Sequence, residues 1–439
     1  MINSKKDFYY KGSFIQGVLI LGYGITGKSV YDFLLNFNLQ VYVYDENVDI
    51  PSYISCIDMK NCKPAVELII TSPGINLSKD IFNEIRSLSI PVVSDIEIFL
   101  EYNNKPIIAI TGTNGKTTVV TLINDILNKS GYVSQKIGNI GLPALSILNS
   151  EVSHDYYVME LSSFQLEYIF SLNAEIGCVL NITDDHLDRH HTYENYYDIK
   201  CRILEQSKNN IINSNIEYKP KNINNRNLFF INGDEGYKLS ICNKYIQIGD
   251  TVIANSKDFL VNEKHNLENY LFVLAITSLL GISYDKVLEH LKLFKGLSHR
   301  CEYLGSYNEI KYYNDSKGTN VDATLSALES LGDKNNIILL LGGVSKDGDF
   351  KKLIPLILRH VKSLLIYGKD KLIIEKQLRY STSIKLYNSL SEALSYLSNL
   401  VVSGDLVLLS PGCASYDEFI NYEDRGDFFK SKITNGESL

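Results

Sequence analysis

The sequence predicts an α/β protein of three domains, each built on a mainly parallel sheet. Three observations carry this expectation. Apolar runs of strand length alternate with helix-like stretches in three successive segments. Two glycine-rich loops each stand between such a strand and a helix. The 439 residues exceed what one hydrophobic core usually serves, so two or three domains are expected.

The first segment, residues 1–104, reads as a Rossmann-like unit, though a short one. Val18 to Leu21 is an apolar strand, followed by Gly22, Gly24 and Gly27 at G-x-G-x-x-G spacing. A helical stretch runs to about Phe37, and Val41 to Tyr44 forms a second strand ending at Asp45. Glu67 to Gly74 and Ile90 to Asp95 add further strands. Gly22 permits the tight turn, Gly24 lets a diphosphate approach the backbone, and Gly27 lets helix and strand pack closely. Asp45 stands near the spacing of a ribose-binding acid. A turn without a ligand is the plain alternative. The fingerprint leaves NAD and another diphosphate both open.

The second segment, residues 105–299, opens with the strand Pro106 to Ile110 and the loop "TGTNGKTT". A common phosphate loop is G-x-x-x-x-G-K-[ST]. Here Gly112 stands only three residues before Gly115, and Ile110 takes the place of the usual first glycine. The backbone N–H groups can still cradle phosphates, Lys116 can neutralise their charge, and Thr117 can ligate Mg²⁺. Two phosphate-type loops in one chain suggest a nucleoside triphosphate and a diphosphate-bearing substrate. Glu160, closing the strand "YYVME", is a candidate Mg²⁺ partner; a solvated strand-end carboxylate is the alternative. "NITDDHLDRHH" gathers acids and histidines. On a helix, His186 and His190 have zinc-ligand spacing. No Cys completes such a site, and hard oxygens suit Mg²⁺ better. Lys200 reads as a surface helix lysine. The Asn-rich stretch from Lys208 to Ser256 is a hairpin-rich excursion or partly mobile loop. A helix from Asn266 to Leu280 follows, with Asn266 as N-cap and Gly281 as stop.

The third segment, residues 300–439, carries the apolar strands "NNIILLLGG", "SLLIYG" and "DLVLLSPG" between helix-like stretches. The net charge of -8 speaks against a general binder of nucleic acid. Seven dispersed cysteines without a C-x-x-C pair fit reduced thiols of the cytosol. No apolar run reaches about 18 residues, and "MINSKKDFYYKGSF" lacks the apolar core of a signal peptide. A cytoplasmic protein without membrane insertion is expected.

The motifs "GTNGKTT", "ELSSFQLE", "NITDDHLDRH", "HNLEN", "LSHRCEY", "YNDSKGTN" and "LSPGCASYDEF" occur in the order found in the Mur ligases. The chain resembles that family over almost its whole length. The resemblance implies an ATP-dependent amide-forming enzyme of bacterial peptidoglycan synthesis with a Rossmann-like N-terminal domain, a P-loop ATPase-like central domain and a Rossmann-like C-terminal domain. "GYGITGKS", "TSPGI" and "CASYDEFINYEDRG" resemble the members that add D-glutamate to UDP-N-acetylmuramoyl-L-alanine. On this resemblance the shortened loop is the family's own form, and the first glycine loop holds a UDP diphosphate and not NAD.

The resemblance also implies roles. ATP and Mg²⁺ are the cofactors. Gly112, Thr113, Asn114, Gly115, Lys116, Thr117 and Thr118 surround the ATP phosphates. Asn266 and Asn269 lie on the adenine side, Arg300 reaches the γ-phosphate, and Asp315 the ribose. Thr117, with Glu160, holds one Mg²⁺ and His186 a second, and Lys200 (as a carbamate) is a carboxylate-like metal partner; Lys116, His186, Lys200 and Glu160 form the catalytic set. Gly24, Ile25, Thr26, Gly27, Asp45, Ser72, Pro73 and Gly74 lie around the UDP part, with Asn139 and His186 toward the muramoyl part. Thr319, Lys346, Ser415 and Tyr422 form the D-glutamate pocket. Tyr422 departs from the commoner Phe, and Glu46 stands where a hydroxyl residue is familiar near uracil. The expected molecule is a monomer that binds small-molecule substrates and no nucleic acid. Three rivals are a folate polyglutamate ligase, an NAD-binding redox protein and a nucleotide-regulated binding protein. A UDP-type first domain speaks against the first. The second leaves Lys116, His186, Lys200 and Arg300 without work.

Overall fold

The structure is a computed structural model describing residues 5–46, 50–52, 54–56, 66–87, 89–150, 152–216, 228–233, 236–240, 244–262, 264–332, 334–346, 348–379 and 381–434. A short hairpin, β1 (Phe8–Tyr10) and β2 (Ser13–Ile15), precedes the first sheet. That sheet contains β3 (Gly17–Leu21), β4 (Gln40–Tyr44), β5 (Ser55–Cys56), β6 (Leu68–Thr71) and β7 (Val92–Ser94), all parallel, in the order β5-β4-β3-β6-β7. The direction of winding reverses between β3 and β6, and ligands of open α/β sheets bind at such a reversal.

The second sheet contains β8 (Ile107–Thr111), β9 (Ser134–Gly138), β10 (Tyr156–Glu160), β11 (Ala174–Val179), β12 (Ser207–Asn213) and β13 (Leu228–Ile231). It is parallel, in the order β13-β12-β11-β8-β10-β9. β8, "IIAIT", is buried along its length, as a central strand covered on both faces must be. The Asn-rich excursion forms the antiparallel β14 (Tyr237–Leu239), β15 (Tyr245–Ile248) and β16 (Thr251–Asn255), in line with its hairpin-rich reading. Residues 217–227, 234–235 and 241–243 of that stretch lie outside the described residues.

The third sheet contains β17 (Glu302–Tyr307), β18 (Ile310–Asn314), β19 (Ile337–Gly342), β20 (Val361–Tyr367), β21 (Ser383–Leu386) and β22 (Leu406–Leu409). Its order is β17-β18-β22-β19-β20-β21, with only the β17–β18 pair antiparallel. Side chains of β19 alternate between two cores: Leu339 and Leu341 pack with Phe350 and Ile357, while Ile338 and Leu340 pack with Leu390 and Phe429. β22 returns to lie between β18 and β19. The loops after these three strands therefore share one sheet edge.

Two compact units result. One contains the first two sheets: residues 1–182, 194–255 and 268–291. The other contains the third sheet, residues 292–439, together with 183–193 and 256–267. These last two stretches pack with the third sheet for visible reasons. Asp184 and Asp185 pair with Lys352 and Lys346, and Ser330 Oγ lies 3.3 Å from His265 Nδ1. In the first unit, the buried Glu97 fastens the first sheet to the second. It accepts from the N–H groups of Phe170 and Ser171 at 2.8 and 3.1 Å and from the Ser171 hydroxyl at 2.8 Å.

One helix boundary differs from expectation. The helix runs Lys264–Leu279, so Asn266 lies inside it and is not the N-cap. Lys264 and His265 are compatible with helix, and the Asn266 amide meets the His265 ring at 3.0 Å. The stop at Gly281, with φ of 75°, is as expected.

Candidate functional site

The phosphate loop joins β8 to the helix Lys116–Lys129. Gly115 has φ of 83°, and an added Cβ would come within 2.3 Å of Asn269 Oδ1. Glycine is thus needed there for both conformation and space. Lys116 Nζ donates to the carbonyls of Gly112 and Thr113, each at 2.8 Å. Asn114 and Asn181 exchange two hydrogen bonds, at 2.8 and 3.1 Å, and Thr113 Oγ1 lies 3.1 Å from the Tyr196 hydroxyl.

Glu160 ends β10, beside the loop. Only 1% exposed, it is no solvated strand-end carboxylate. Its carboxylate accepts from the Thr117 hydroxyl at 2.9 Å and from Asn139 Nδ2 at 2.8 Å. Lys200 is 2% exposed, which overturns its reading as a surface lysine. It donates to the Gly112 carbonyl at 2.8 Å and stands 4.7 Å from the centre of the Tyr196 ring. The structure therefore gathers Lys116, Thr117, Asn139, Glu160, Lys200 and Asn269 around one loop. Thr118 is buried behind it. The sequence does carry a signal for Lys200: Tyr196, Lys200 and Leu204 follow at i, i+4, i+8 on the buried face of the helix Tyr193–Glu205.

The first glycine loop lies at the β3/β6 reversal and opens the helix Ile25–Leu34. Gly22 has φ of 90° and packs against Ser72, whose hydroxyl donates to the Gly22 carbonyl at 3.2 Å. An added Cβ at Gly27 would fall 1.9 Å from the Gly22 oxygen. At Gly24 it would meet nothing within 4 Å. Gly22 and Gly27 are thus demanded by packing, while Gly24 leaves an open cradle before the helix. Ile25 is exposed beside it, Thr26 follows in the first turn of the helix, and Pro73 and Gly74 lie in the loop after β6. Asp45 accepts from Tyr23 N at 2.6 Å, so it braces the loop. Glu46 accepts from the Tyr44 hydroxyl at 3.2 Å and pairs with Lys79 at 3.5 Å.

In the other unit, the loops after β18, β22 and β19 carry Asp315 and Thr319, Ser415, and Lys346 respectively. The helix Tyr422–Thr434 adds Tyr422, whose ring centre lies 3.7 Å from Lys317 Nζ. Lys317 is a neighbour the sequence reading missed. Asp315 is buried and accepts from the Ser410 hydroxyl at 2.7 Å and Cys301 N at 3.2 Å. Burial pushes its carboxyl up to about 6, against the pull of Ser410, Cys301 and Arg300. Lys346 pairs with Asp185 at 3.4 Å, and Asn320 Nδ2 donates to the same carboxylate at 3.0 Å. Asp185 and Asn320 were given no role by the sequence, although an Asn directly before an apolar helix is a cap signal.

His186 does not sit on a helix face with His190. It is the N-cap of the helix Leu187–His190, with a left-handed φ of 55°, so its backbone departs from the helical conformation that a helical zinc pair requires. Lys346 shares this left-handed conformation, with φ of 50°. Such backbone costs a non-glycine residue on the order of 1–2 kcal/mol, and it concentrates at functional positions.

Residues 110–277 match the Mur ligase middle domain, and residues 299–413 match the Mur ligase glutamate ligase domain. The chain is 38% identical over 436 residues to UDP-N-acetylmuramoylalanine–D-glutamate ligase of Francisella tularensis subsp. novicida (strain U112), covering 97% of this chain and 98% of that protein. The protein of that name from Francisella tularensis subsp. tularensis (strain SCHU S4 / Schu 4) is 38% identical over 442 residues, at the same 97% and 98% coverage. Two solved structures share the fold. UDP-N-acetylmuramate–alanine ligase from Thermotoga maritima has a TM-score of 0.61 at 16% identity, covering 96% of this chain and 100% of that one. The MurF ligase from Thermotoga maritima in complex with ADP has a TM-score of 0.59 at 16% identity, covering 99% of each chain. Two domain matches in the expected order and a full-length identity well above the level of chance similarity agree: the chain belongs to the Mur ligase family, on the branch of the UDP-N-acetylmuramoylalanine–D-glutamate ligases.

Proposed function

We propose that this protein joins D-glutamate to UDP-N-acetylmuramoyl-L-alanine, driven by ATP, in the cytoplasmic stage of peptidoglycan synthesis. The observation that carries the reading is the presence of two phosphate-type loops in one compact unit. One has an open cradle at Gly24. The other has a lysine bonded to the loop carbonyls and a hydroxyl bonded to a buried carboxylate. They suit a UDP-linked substrate and a nucleoside triphosphate respectively.

The substrate carboxylate is a poor electrophile. Its oxygen attacks the γ-phosphorus and ADP leaves, giving an acyl phosphate. The amine of D-glutamate then attacks the acyl carbon and phosphate leaves. Loop N–H groups from Gly112 to Thr118 and the Lys116 ammonium hold the phosphates, with Arg300 at the γ-phosphoryl group. Asn269, and Asn266 on the same helix, serve the adenine side, and Asp315 the ribose. Thr26, Asp45, Ser72 and their loop neighbours position the UDP group, and Asn139 the muramoyl part. Lys346, Thr319, Ser415 and Tyr422 receive the amino acid.

The donor set fits Mg²⁺. Thr117 and Glu160 bring hard oxygens to within 2.9 Å of one another. Lys200 is 2% exposed, the desolvated setting expected of a lysine that is to be carbamylated. Thr117 and Glu160 would hold one Mg²⁺ and His186 a second, with carbamylated Lys200 as a metal partner, and the metal would supply charge neutralisation to the transferring phosphoryl group. Within this reading, segments 1–104, 105–299 and 300–439 serve the UDP substrate, ATP and the amino acid, and the protein acts as a cytoplasmic monomer. Incubation with ATP and UDP-N-acetylmuramoyl-L-alanine plus D-glutamate should give a product heavier by one glutamyl residue in the mass spectrum. ATP turnover without that product would contradict the reading.

A further inference from the structure

Asp185 belongs to the stretch 183–193 that packs with the third sheet. Its side chain is only 11% exposed, and its carboxylate is held by three groups, with the His186 ring Nε2 a further neighbour 3.6 Å from Oδ2. His186 N donates to Oδ1 at 3.0 Å, Asn320 Nδ2 donates to Oδ2 at 3.0 Å, and the Lys346 ammonium lies 3.4 Å from Oδ1. Asn320 is itself fixed. Its Oδ1 caps the helix Val321–Leu331 by accepting from Ala323 N at 2.9 Å. The carboxylate is thus anchored by the fold, whereas the ammonium rides on a flexible four-carbon stem. Both line one small cavity of about 110 Å³, together with His186, Ser345 and Lys352.

A fixed anion therefore faces a movable ammonium inside a cavity. An amino acid enters as a zwitterion, and its nucleophilic nitrogen arrives as an ammonium of the same kind. We propose that Asp185 receives the ammonium group of the incoming amino acid, by exchange of partners: the substrate ammonium replaces that of Lys346 on Asp185, and Lys346 turns to a substrate carboxylate. This rests on the D-glutamate reading above and adds to it the group that holds the amine. For the ammonium and one of the two carboxylates of D-glutamate, the exchange turns one ion pair into two, and neither Asp185 nor Lys346 is left buried without a partner. The second carboxylate is left to the neutral donors Thr319 and Ser415. The neighbouring pair, Lys352 with Asp184 at 3.2 Å, is 40% and 51% exposed and is screened by solvent, so it is a poor candidate for the same work.

The two steps of the reaction can be separated. With ATP, UDP-N-acetylmuramoyl-L-alanine and hydroxylamine but no amino acid, the acyl phosphate is trapped as a hydroxamate. Hydroxylamine is uncharged at neutral pH and does not need a carboxylate to hold it. Asp185→Asn should form hydroxamate at close to the wild-type rate, while KM for D-glutamate rises roughly 10- to 150-fold, the worth of one charged hydrogen bond. Asp185→Glu, which retains the charge, should recover much of that affinity and guards against misreading a folding defect. Equal losses in hydroxamate and amide formation would overturn the proposal, because Asp185 would then act on the first step beside His186. An unchanged KM for D-glutamate would overturn it as well. The underlying reading is judged separately, by whether the wild type turns over D-glutamate; if it does not, the proposal falls with it.

Discussion

Gly24→Ala and Gly27→Ala should fail in different ways. Gly24 has φ of -72° and ψ of -159°, which alanine adopts without strain. A methyl group there would meet no protein atom within 4 Å. The change should leave stability within about 1 kcal/mol, the lower entropy of the unfolded chain offsetting a poorer helix cap. The methyl would instead occupy the cradle before the helix Ile25–Leu34. A diphosphate pushed off those N–H groups loses charged hydrogen bonds worth about 1.5–3 kcal/mol, or roughly 10- to 150-fold in KM for the UDP substrate. KM for ATP should hardly move. At Gly27 the methyl would fall 1.9 Å from the Gly22 oxygen, so helix and strand must separate. Overpacking of this kind costs about 1–3 kcal/mol and should lower the melting temperature. Thermal melts and steady-state KM values for both variants make the comparison. Normal KM for the UDP substrate in Gly24→Ala would refute the assignment of the cradle.

Further expectations concern the phosphate loop, the amino-acid pocket and the first-unit junction. Lys116→Ala should lower kcat on the order of 100- to 1,000-fold with a nearly unchanged melt; near-normal turnover in a folded protein would remove Lys116 from the phosphate site. Lys346→Ala should raise KM for D-glutamate roughly 10- to 150-fold and leave that for ATP in place; an equal rise for ATP would put Lys346 on the nucleotide side. Burial pushes the Glu97 carboxyl up. The N–H groups of Phe170 and Ser171, the Ser171 hydroxyl and the Lys11 ammonium outweigh it and hold the carboxyl below the usual range. A carboxylate depressed on folding stabilises the native state above its unfolded pKa and loses that contribution as pH falls through the folded one. The melting temperature should therefore drop on acidification below about pH 4.3, the ordinary glutamate value, and Glu97→Gln should start lower and show a shallower acid fall. An identical acid profile would show that Glu97 does not carry it.

The parts of the fold that were legible rest on short-range rules. Glycine spacing after an apolar strand announced both loops, and continuous apolar runs announced buried parallel strands. What escaped depends on distant partners. Lys200 looks solvated until Gly112 and Tyr196 are brought to it by β8 and its own helix. Asp185 reads as one acid among several until the Asn320 cap and Lys346 converge on it. The helix start at Lys264 was misplaced because Asn266 favours a cap but does not require one. The packing of residues 183–193 with the third sheet follows from ion pairs that no local pattern reveals.

The central claim is the choice of substrates. Phosphate release should be followed with ATP and UDP-N-acetylmuramoyl-L-alanine in the presence of D-glutamate, L-glutamate, L-alanine, a diamino acid or D-alanyl-D-alanine, one at a time. Sustained release with D-glutamate and with none of the others is the predicted result. Release with another amino acid in place of D-glutamate, or release independent of the UDP substrate, would contradict the account.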